Sequence, residues 1–485
     1  MSKKTNEGIT VKKNEDFSEW YSQVVQKAEL ADIRYGVQGF IVHSPWGFKI
    51  LRRIYELLEQ DVEADDHEPF LFPLVIKKEN LDKEEEHAGF APEVFWVTKS
   101  GSKKMEEEVA LRPTGETQIY PMYSLWIRSY NDLPYKGYQS RICTYRSEKT
   151  TRPFLRGREF MFFETHDVFA THDDALEQVE KDLTTSDEVI WKQCKIPFLS
   201  FKRPQWDKFM GALNTFTPDT LMPDGKRNQM ASTHDLGQNF AKAFDINFQD
   251  KDGKQKLPWQ TCYGPGIWRI MAALIGIHGD DTGLILPFDL APKKVVIVPI
   301  FKEGSKDSVI KYCEDLKKSL DFSCIVDSTD ATPGFKYNKW EMKGVPIRIE
   351  VGPKEVSEKT ATVVLRTDKT KTSVKIEDIN SEIKKQSLTL DKEIEKRAKV
   401  YFKDNTHDAK DLNELKKIMK SHRGFVRVPF CSVEKDGEKC ADKLKELTDG
   451  VNVCGTLYPK EEKASGNCIM CDKKAKHIVY TAKSY

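Results

Sequence analysis

The sequence predicts a multidomain α/β protein with two to four domains. A chain of 485 residues is longer than a single domain with one hydrophobic core usually is. Residues 85–290 mix short strands of alternating polarity with helical segments, as in an antiparallel sheet flanked by helices. Beyond a boundary near 287–294, the apolar run VVIVPI indicates a buried parallel strand and hence an α/β domain. We divide the chain into three regions, 1–290, 291–385 and 386–485.

Hydrophobic periodicity predicts the individual elements. A helix begins at about Phe17, and a second helix over 47–64 is followed by a strand, PFLFPLVI. In the second region, SVIKYCEDLKKSL is predicted to be a helix, and PIRIEV and ATVVLR to be strands. The charge-rich stretch 378–420 predicts a linker helix, after which a small α/β domain contains a cysteine cluster.

The composition argues against a membrane protein, and the chain as a whole is not strongly basic. Lys and Arg number 77 against 76 Asp and Glu, so a nucleic-acid partner would be bound by local basic patches. No apolar run is long enough to span a bilayer, and the N-terminus lacks the apolar core of a signal peptide. Ten cysteines in so long a chain do not form a dense disulfide framework. We therefore expect a cytoplasmic protein.

The segment 141–166 carries the most information about function. Alternating residues on either side of a short basic loop predict two antiparallel strands of a hairpin. The hairpin would direct Arg146 and Arg156 at one spot beside the ring of Phe160. An arginine guanidinium can bind two phosphate oxygens at once, and an aromatic ring stacks on a purine. Glu148 would accept a hydrogen bond from an adenine amino group or help hold Mg²⁺. A solvated basic hairpin is the alternative.

The loop 112–117 lies between a strand-like and a helical segment. Thr114 and Glu116, two residues apart on such a turn, would together hold the ammonium group of a ligand. Alternatively, the loop caps a helix that begins near Gln118. The two interpretations are compatible.

Two more polar segments follow in the same region. Residues 229–237 are small and polar and include His234, which either binds a ligand or is a core histidine with satisfied hydrogen bonds. In CYGPGIWR, Gly264 and Gly266 let the backbone approach a ligand, and Arg269 begins an apolar helix without an acidic neighbour. An arginine so placed indicates a ligand more strongly than the glycines alone.

Four cysteines near the C-terminus are spaced as metal ligands. Cys468 and Cys471 form a C-x-x-C pair, and Cys431 and Cys440 would complete a tetrahedral set. The gap between the latter two is longer than usual, and Cys454 is a rival ligand. Four thiolates would close the coordination shell of Zn²⁺, so the site would be structural. Reduced, buried thiols are the alternative.

Together these segments resemble the three motifs of the class II aminoacyl-tRNA synthetases, and closely those of the prolyl-tRNA synthetase family of archaeal and eukaryotic type. The hairpin is similar to motif 2, Arg269 to motif 3, and Pro73 to the motif 1 proline at the dimer interface. LRPTGET resembles the proline-binding loop of the family, and STHDLGQNFAKAFDI its T-x-H-x-L-G-x-N-F block. The resemblance extends from about residue 17 to Tyr485. It implies a class II antiparallel sheet flanked by helices, an α/β anticodon-binding domain and a small zinc-binding α/β domain.

The resemblance also implies where the substrates bind. ATP would be held by Arg146, Glu148, Arg156, Phe160, Gln229, Ser232 and Arg269. Proline would be surrounded by Thr114, Glu116, Arg146, Phe162, Glu164, Phe209 and His234. Aromatic walls suit a small apolar ring, and a carboxylate suits its secondary ammonium. The candidate catalytic residues are Arg146, Arg156 and Arg269, acting with Mg²⁺ and ATP.

Several positions depart from the family pattern. Phe162 stands where many relatives have tryptophan, Ser232 replaces a threonine and Asp219 a glutamate. CYGPGIWR has one residue more before its arginine than the W-G-L-x-x-R form of this branch. These differences concern the shape of the amino-acid pocket, and the expected reaction is unchanged.

In the later regions the resemblance implies further sites. Glu341, Arg348 and Lys354 match positions that recognise the guanines of the anticodon, where cations suit the base acceptors and a carboxylate the base donors. Charges at strand edges in solvent are the alternative. Relatives carry a structural zinc at the cysteine cluster, and their C-terminal tyrosine, here Tyr485, folds back toward the catalytic domain.

The resemblance implies a homodimer that activates proline with ATP and transfers it to tRNA(Pro). A paralogue without catalysis is one rival, although the intact set of arginines argues against it. Altered specificity, with activation of cysteine besides proline, is another. About 70 residues separate Phe160 from Gln229, too few for an inserted editing domain, so no cis-editing is expected.

Overall fold

The structure is a computed structural model, and it describes residues 8–88, 93–301, 304–421, 423–471 and 473–485. The expected lack of a targeting segment rests partly on residues 1–7, which lie outside these ranges. Among the described residues, no helix is both long and apolar enough to cross a membrane.

Helices and strands are numbered in chain order over the described residues. The helices are α1 (Phe17–Lys27), α2 (Pro45–Glu63), α3 (Lys78–Ala88), α4 (Glu116–Trp126), α5 (His172–Ser186), α6 (Asn239–Ala243), α7 (Ile267–Ala273), α8 (Lys306–Ser319), α9 (Pro333–Met342), α10 (Pro353–Glu358), α11 (Ile379–Asp404), α12 (Leu412–Ser421) and α13 (Glu438–Leu447). The strands of the first region are β1 (Ala31–Asp32), β2 (Val42–His43), β3 (Glu68–Pro69), β4 (Val75–Lys77), β5 (Trp96–Ser100), β6 (Lys103–Leu111), β7 (Tyr135–Tyr145), β8 (Glu159–Phe169), β9 (Leu199–Lys202), β10 (Asn214–Leu221), β11 (Arg227–Gln229), β12 (Ala231–Gly237), β13 (Phe248–Gln249), β14 (Gln255–Lys256) and β15 (Trp259–Pro265). Those of the second and third regions are β16 (Val295–Pro299), β17 (Cys324–Val326), β18 (Ile347–Val351), β19 (Thr360–Leu365), β20 (Lys371–Lys375), β21 (Thr406–Asp408), β22 (Phe425–Phe430), β23 (Asn452–Leu457) and β24 (His477–Ala482).

The largest sheet runs through the first and third regions. Its strand order is β21-β22-β24-β23-β9-β10-β12-β15-β8-β7-β3, and β11 pairs with β10. The predicted hairpin is confirmed, because β7 and β8 pair antiparallel with Tyr145 opposite Glu159. Strands β8, β15, β12 and β10 also pair antiparallel in turn, which confirms the antiparallel sheet expected for this region.

Strand β23 joins the C-terminal region to the sheet of the first region. It pairs antiparallel with β9, so that Thr456 lies opposite Lys202 and Leu457 opposite Phe201. The small α/β domain predicted for the C-terminus is present, and its sheet is continuous with that of the first region.

The second region forms a separate five-stranded sheet in the order β17-β16-β18-β19-β20. The run VVIVPI forms the interior strand β16, which lies between two parallel neighbours with Val295 opposite both Cys324 and Ile347. The predicted helix is α8, and the two predicted strands are β18 and β19, so these predictions are confirmed.

Two element predictions are wrong in part. PFLFPLVI is not one strand, because β3 ends at Pro69 and pairs with β7, whereas β4 begins at Val75 and pairs with β6. Pro69 and Pro73 lack the amide hydrogen that a continuous ladder requires. The linker helix over 378–420 is interrupted as well, since α11 ends at Asp404 and is followed by β21 and α12.

The principal core lies where α1, α2 and α7 pack on the large sheet. Trp20, Ile54, Phe163, Tyr263 and Ile270 are fully buried in a single apolar cluster. Each such side chain stabilises the fold by about 2 kcal/mol on burial. The strands that carry the polar motifs are therefore held on a rigid platform.

Candidate active site

The hairpin, β11, β12 and α7 enclose a cavity of about 320 Å³. All seven residues expected to hold a nucleotide line it: Arg146, Glu148, Arg156, Phe160, Gln229, Ser232 and Arg269. The guanidinium carbon of Arg146 lies 5.7 Å from the ring centre of Phe160. The structure thus brings cations and an aromatic ring to one cavity, as the hairpin motif predicts.

Arg156 lies in the loop between β7 and β8. Its Nη1 is 3.4 Å from Oε2 of Glu148, and its Nη2 donates to the main-chain oxygen of Tyr485 at 2.8 Å. The side chains of Arg156 and Glu148 are 42% and 30% exposed, so this ion pair is weak and can rearrange around a ligand. The C-terminal residue therefore returns to the first region, as the resemblance implies.

Arg269 projects from the first turn of α7. Its side chain donates to Oδ1 of Asn228 at 3.3 Å, and the Asn228 amide donates to the Arg269 carbonyl at 2.9 Å. Burial, together with repulsion from Arg156, lowers the pKa of Arg269 to about 10. The group therefore remains a cation at neutral pH and is held by neutral partners, which leaves its charge available to an anion.

A second cavity, of about 300 Å³, adjoins the first. All seven residues expected to surround an amino acid line it: Thr114, Glu116, Arg146, Phe162, Glu164, Phe209 and His234. The two cavities share Arg146, Phe162, Gln229, Ser232 and Gly264. Two small ligands bound in them would meet at this common wall.

The loop before α4 supplies the acidic side of the second cavity. The helix begins at Glu116 with Gly115 as its N-cap, and no side chain caps it, so the predicted cap of a helix starting near Gln118 is wrong. The Thr114 hydroxyl instead donates to the Glu116 carboxylate. A Cβ atom at residue 115 would lie 2.5 Å from Glu164 Oε1, so only glycine lets the loop approach that carboxylate.

The carboxylate of Glu164 is held in place by hydrogen bonds with buried side chains. Gln139 donates to its Oε1 at 2.9 Å, and Nε2 of His166 lies 3.2 Å from its Oε2. Nδ1 of His166 contacts the hydroxyl of Tyr120 at 3.0 Å. Burial disfavours a charged ring, but the hydrogen bond and charge of Glu164 outweigh it and raise the pKa of His166. The raised pKa favours the imidazolium form of His166, whose charge would offset part of the negative charge of this cavity.

His234 lines the same cavity as the carboxylates. Its ring centre is 4.6 Å from that of Phe209, and its Nδ1 is 2.9 Å from the Thr215 hydroxyl, which accepts from the Phe209 amide. Burial and the nearby His166 lower the pKa of His234 to about 3, so the ring is neutral. With Nδ1 accepting from Thr215, Nε2 carries the proton. His234 is buried and hydrogen-bonded, as expected for a core histidine, and it also lines the cavity. Ligand binding by His234 stays a prediction.

Several residues of the site carry no motif in the sequence. Arg203, Asp207, Lys208, Arg227, Thr215 and Thr217 also line the second cavity. Arg203 and Arg227 both bind the buried carboxylate of Asp219, at 2.9 Å and 3.0 Å. The pairing between β9, β10 and β11 brings these three residues together, and their spacing along the chain gives no local signal.

The expected anticodon residues lie in the second region. Arg348 on β18 forms ion pairs with Glu341 at 2.7 Å and with Glu350 at 3.1 Å. Its guanidinium carbon lies 4.0 Å from the ring centre of Tyr337. Lys354 is exposed at the start of α10. Glu341 and Arg348 are therefore a paired cluster rather than solvated strand-edge charges.

The four predicted cysteine ligands come together at the C-terminal domain. The sulfur atoms of Cys431, Cys440, Cys468 and Cys471 lie within 4.8 Å of one another. The first two sulfurs are 3.7 Å apart, close to the separation of about 3.8 Å in a tetrahedral site with Zn–S bonds of about 2.3 Å. Cys454, the rival ligand, lies outside this group. The four thiols therefore fit Zn²⁺.

Family models match most of the chain. The tRNA synthetase class II core domain (G, H, P, S and T) matches residues 95–278, the anticodon binding domain 294–386, and the prolyl-tRNA synthetase C-terminal domain 412–485.

Similar proteins are alike over nearly their whole length. The chain is 52% identical to a proline–tRNA ligase of Thermofilum pendens over 99% of this chain and 100% of that protein. It is 41% identical to that of Methanococcoides burtonii over 98% of each. A Giardia lamblia prolyl-tRNA synthetase solved in complex with prolyl-adenylate superposes with a TM-score of 0.93, at 32% identity over 98% of this chain and 100% of that one. A Cryptosporidium parvum prolyl-tRNA synthetase complexed with halofuginone and AMPPNP gives 0.91, at 30% identity over 99% and 98%.

Proposed function

The chain belongs to the prolyl-tRNA synthetases, the proline–tRNA ligases among the class II aminoacyl-tRNA synthetases, and we propose that it makes prolyl-adenylate and transfers the prolyl group to tRNA(Pro). The main support is the common wall of the two cavities, where Arg146 borders both. An amino acid in one cavity and ATP in the other would place the carboxylate beside the α-phosphate. The prolyl-adenylate bound to the Giardia lamblia enzyme supports the same arrangement.

Activation needs no side-chain nucleophile. A carboxylate oxygen of proline bonds to the α-phosphorus, the bond from that phosphorus to the β-phosphate oxygen breaks, and pyrophosphate leaves with the electron pair. Arg146 and Arg156 would stabilise the charge that develops on the phosphoryl oxygens, and Arg269 would hold the nucleotide. A terminal ribose hydroxyl of tRNA then attacks the prolyl carbonyl carbon, loses its proton, and displaces AMP.

The amino-acid cavity suits proline in charge and shape. Glu116 and Glu164 offer carboxylates to the secondary ammonium, while His166, whose pKa is raised beside Glu164, would offset part of their charge when protonated. The neutral ring of His234 contacts the ring of Phe209 in a tilted arrangement and would donate a hydrogen bond from Nε2. Neutral and aromatic walls accept a small apolar ring, whereas a second cation there would repel the ammonium.

Two metals accompany this function. Mg²⁺ would enter with ATP and neutralise phosphate charge, and Glu148 is the carboxylate lining the nucleotide cavity that would assist in holding it. Zn²⁺ would be held by Cys431, Cys440, Cys468 and Cys471, whose separations fit four thiolate ligands. With all four positions filled by protein, that ion would be structural.

The anticodon of tRNA(Pro) would bind at Glu341, Arg348 and Lys354. The carboxylate would accept from the donor edge of a guanine and the cations would donate to its O6 and N7. Between Phe160 and Gln229 the chain forms only the rest of β8, α5, a short π-helical turn, β9, β10 and part of β11, all of them described. We therefore propose that alanyl-tRNA is not edited in cis.

A homodimer accounts for the apolar surface around the motif 1 proline. Leu71, Leu74 and Val75 flank Pro73 and are 84%, 43% and 42% exposed, and Leu125 and Trp126 are exposed as well. Exposed side chains of this size usually mark a protein interface. A cytoplasmic location agrees with the ten cysteines, none of which forms a disulfide.

The test is ATP–pyrophosphate exchange with each of the twenty amino acids in turn. Exchange with proline, either alone or with weaker exchange for alanine or cysteine, supports the proposal. The relative rates then show how well the enzyme discriminates against those amino acids. An enzyme that exchanges with none of them would instead be a tRNA-binding paralogue. Sedimentation of the protein as a monomer at micromolar concentration would contradict the dimer.

A further inference from the structure

Arg203 follows the last residue of β9 and is almost completely buried, with 3% of its surface exposed. It donates three strong hydrogen bonds to three different parts of the chain. Its Nη1 donates to the main-chain oxygen of Cys454 on β23 at 2.8 Å. Its Nη2 donates to Oδ2 of Asp219 and to Oε1 of Gln229, both at 2.9 Å. One guanidinium therefore connects the C-terminal domain to a residue of the common wall.

The contact with Arg203 determines the orientation of the Gln229 amide. A guanidinium has five N–H donors and no acceptor, so the group that faces it must be the amide oxygen. The amide nitrogen of Gln229 is then directed away from Arg203. Because Gln229 lines both cavities, its two N–H donors are available where the α-phosphate and the amino-acid carboxylate would meet.

Arg203 is itself held in place by neighbouring charges. Asp219 is fully buried and also binds Nη1 of Arg227 at 3.0 Å. The amide of Arg227 donates to the main-chain oxygen of Lys483, and β9 pairs with β23 of the C-terminal domain. Two backbone links from the C-terminal domain therefore converge on the Arg203–Asp219–Arg227 cluster.

We propose that Arg203 is a positioning residue for adenylate formation, which fixes Gln229 as a hydrogen-bond donor at the junction of the two cavities and uses the C-terminal strand β23 as its support. The inference rests on the proposed function, since it concerns the same reaction. It gives the C-terminal domain a share in catalysis that does not depend on contact with either substrate.

The experiment is a double-mutant cycle on proline-dependent ATP–pyrophosphate exchange by the full-length enzyme. Arg203→Lys keeps the charge near Asp219 but cannot reach three acceptors at once, and Gln229→Ala removes the amide. Each single variant is expected to lower kcat about tenfold or more, with the KM for proline changed less than about threefold. In the Gln229→Ala background, Arg203→Lys is expected to cost less than about a further threefold, because Arg203 acts through the missing amide.

Lys202→Ala is the matched control, since Lys202 is the exposed neighbour on β9 and lines neither cavity. Gln229→Glu tests the role of the amide donor and leaves Arg203, Asp219 and Arg227 in place. This variant should be less active than Gln229→Ala, because its carboxylate would direct an acceptor at the substrate oxygens. The inference would be overturned if the rate losses of Arg203→Lys and Gln229→Ala multiplied in the double variant, or if Gln229→Glu were fully active. In either case normal exchange by the wild type would still support the proposed function. Absence of proline-dependent exchange in the wild type would overturn both.

Discussion

The active site and the second-region cluster hold their charged groups in opposite ways. In the active site, Arg146 and Arg269 border cavities of about 320 and 300 Å³ into which ligands can enter. In the second region, Glu341 and Arg348 bind each other at 2.7 Å and are each about nine-tenths buried. The first arrangement places cations where an anion can reach them, whereas the second places a cation between buried carboxylates of the protein.

This difference indicates how each region would bind its substrate. Catalysis gains most from dipoles and charges that need no rearrangement when the reaction occurs, and Arg269, which is held by Asn228, meets that condition. An anticodon base at the second-region cluster would have to replace a protein ion pair with its own hydrogen bonds. Such an exchange favours a base whose donors and acceptors match both partners, because a poor match leaves a buried charge unpaired.

The largest effect is expected from Arg146→Ala. Removing the cation at the common wall should lower the rate of pyrophosphate exchange by about 1,000-fold or more, because no other lining group borders both cavities with a full positive charge aimed at the phosphate. Circular dichroism should be unchanged, since Arg146 lies at a cavity rather than in the core. Arg141→Ala, which removes an ion pair between β7 and Glu59 of α2, is the control. Near-normal exchange by Arg146→Ala would refute the site.

The second-largest effect is expected at the cysteine cluster. Its domain shares a sheet with the active site, whereas the second region has a separate sheet. Cys468→Ser, or removal of metal by a chelator, should lower the free energy of unfolding by about 3 kcal/mol or more. Exchange should fall as well, because β23 supports β9 and Arg203. Cys324→Ala in the second region is the control. A variant with wild-type zinc content, melting temperature and exchange would contradict a structural metal.

The sequence predicts the cavity residues well because they lie on local motifs. The hairpin fixes Arg146 and Phe160 through the alternation of side chains along two paired strands, and that pattern is visible in fifteen residues of sequence. A helix that begins directly after the glycines places Arg269 in the same manner. Local periodicity is sufficient wherever a single supersecondary element carries the residues.

Residues that meet through long-range pairing could not be predicted. Arg203, Asp219 and Cys454 come together only because β9 pairs with both β10 and β23, which are far apart in sequence. The two-proline segment PFLFPLVI failed for a related reason, since each half follows a different partner strand. Partner choice depends on tertiary packing, which hydrophobic periodicity does not encode.

A smaller effect, confined to charging, is expected in the second region. Arg348→Ala should lower kcat/KM for aminoacylation of tRNA(Pro) by about 10- to 100-fold, as the loss of one base contact predicts, and should leave pyrophosphate exchange unchanged. Lys375→Ala, an exposed change in the same domain, is the control. Equal loss of exchange and aminoacylation would mean that the cluster supports the fold rather than recognising the anticodon.

The smallest effect is a pH dependence that should distinguish the two regions. Burial lowers the pKa of His166, but Glu164 and Glu116 outweigh it and raise that pKa, with Tyr120, Cys262 and Asp167 also facing the ring. In the second region, burial beside Glu350 raises the pKa of Tyr337 to about 12, so that group does not titrate near neutrality.

The sign of the pH effect follows from the direction of the His166 shift. The stability contributed by the imidazolium is fully present below the unfolded pKa of about 6.5 and is lost as pH rises through the higher folded pKa. Urea unfolding at pH 6 and pH 9 should therefore show a decline in wild-type stability that His166→Gln reduces. Arg348→Ala should keep the whole decline, because it leaves His166 and its neighbours unchanged. If both variants kept the wild-type pH dependence, the charge beneath the amino-acid cavity would have to reside on another group.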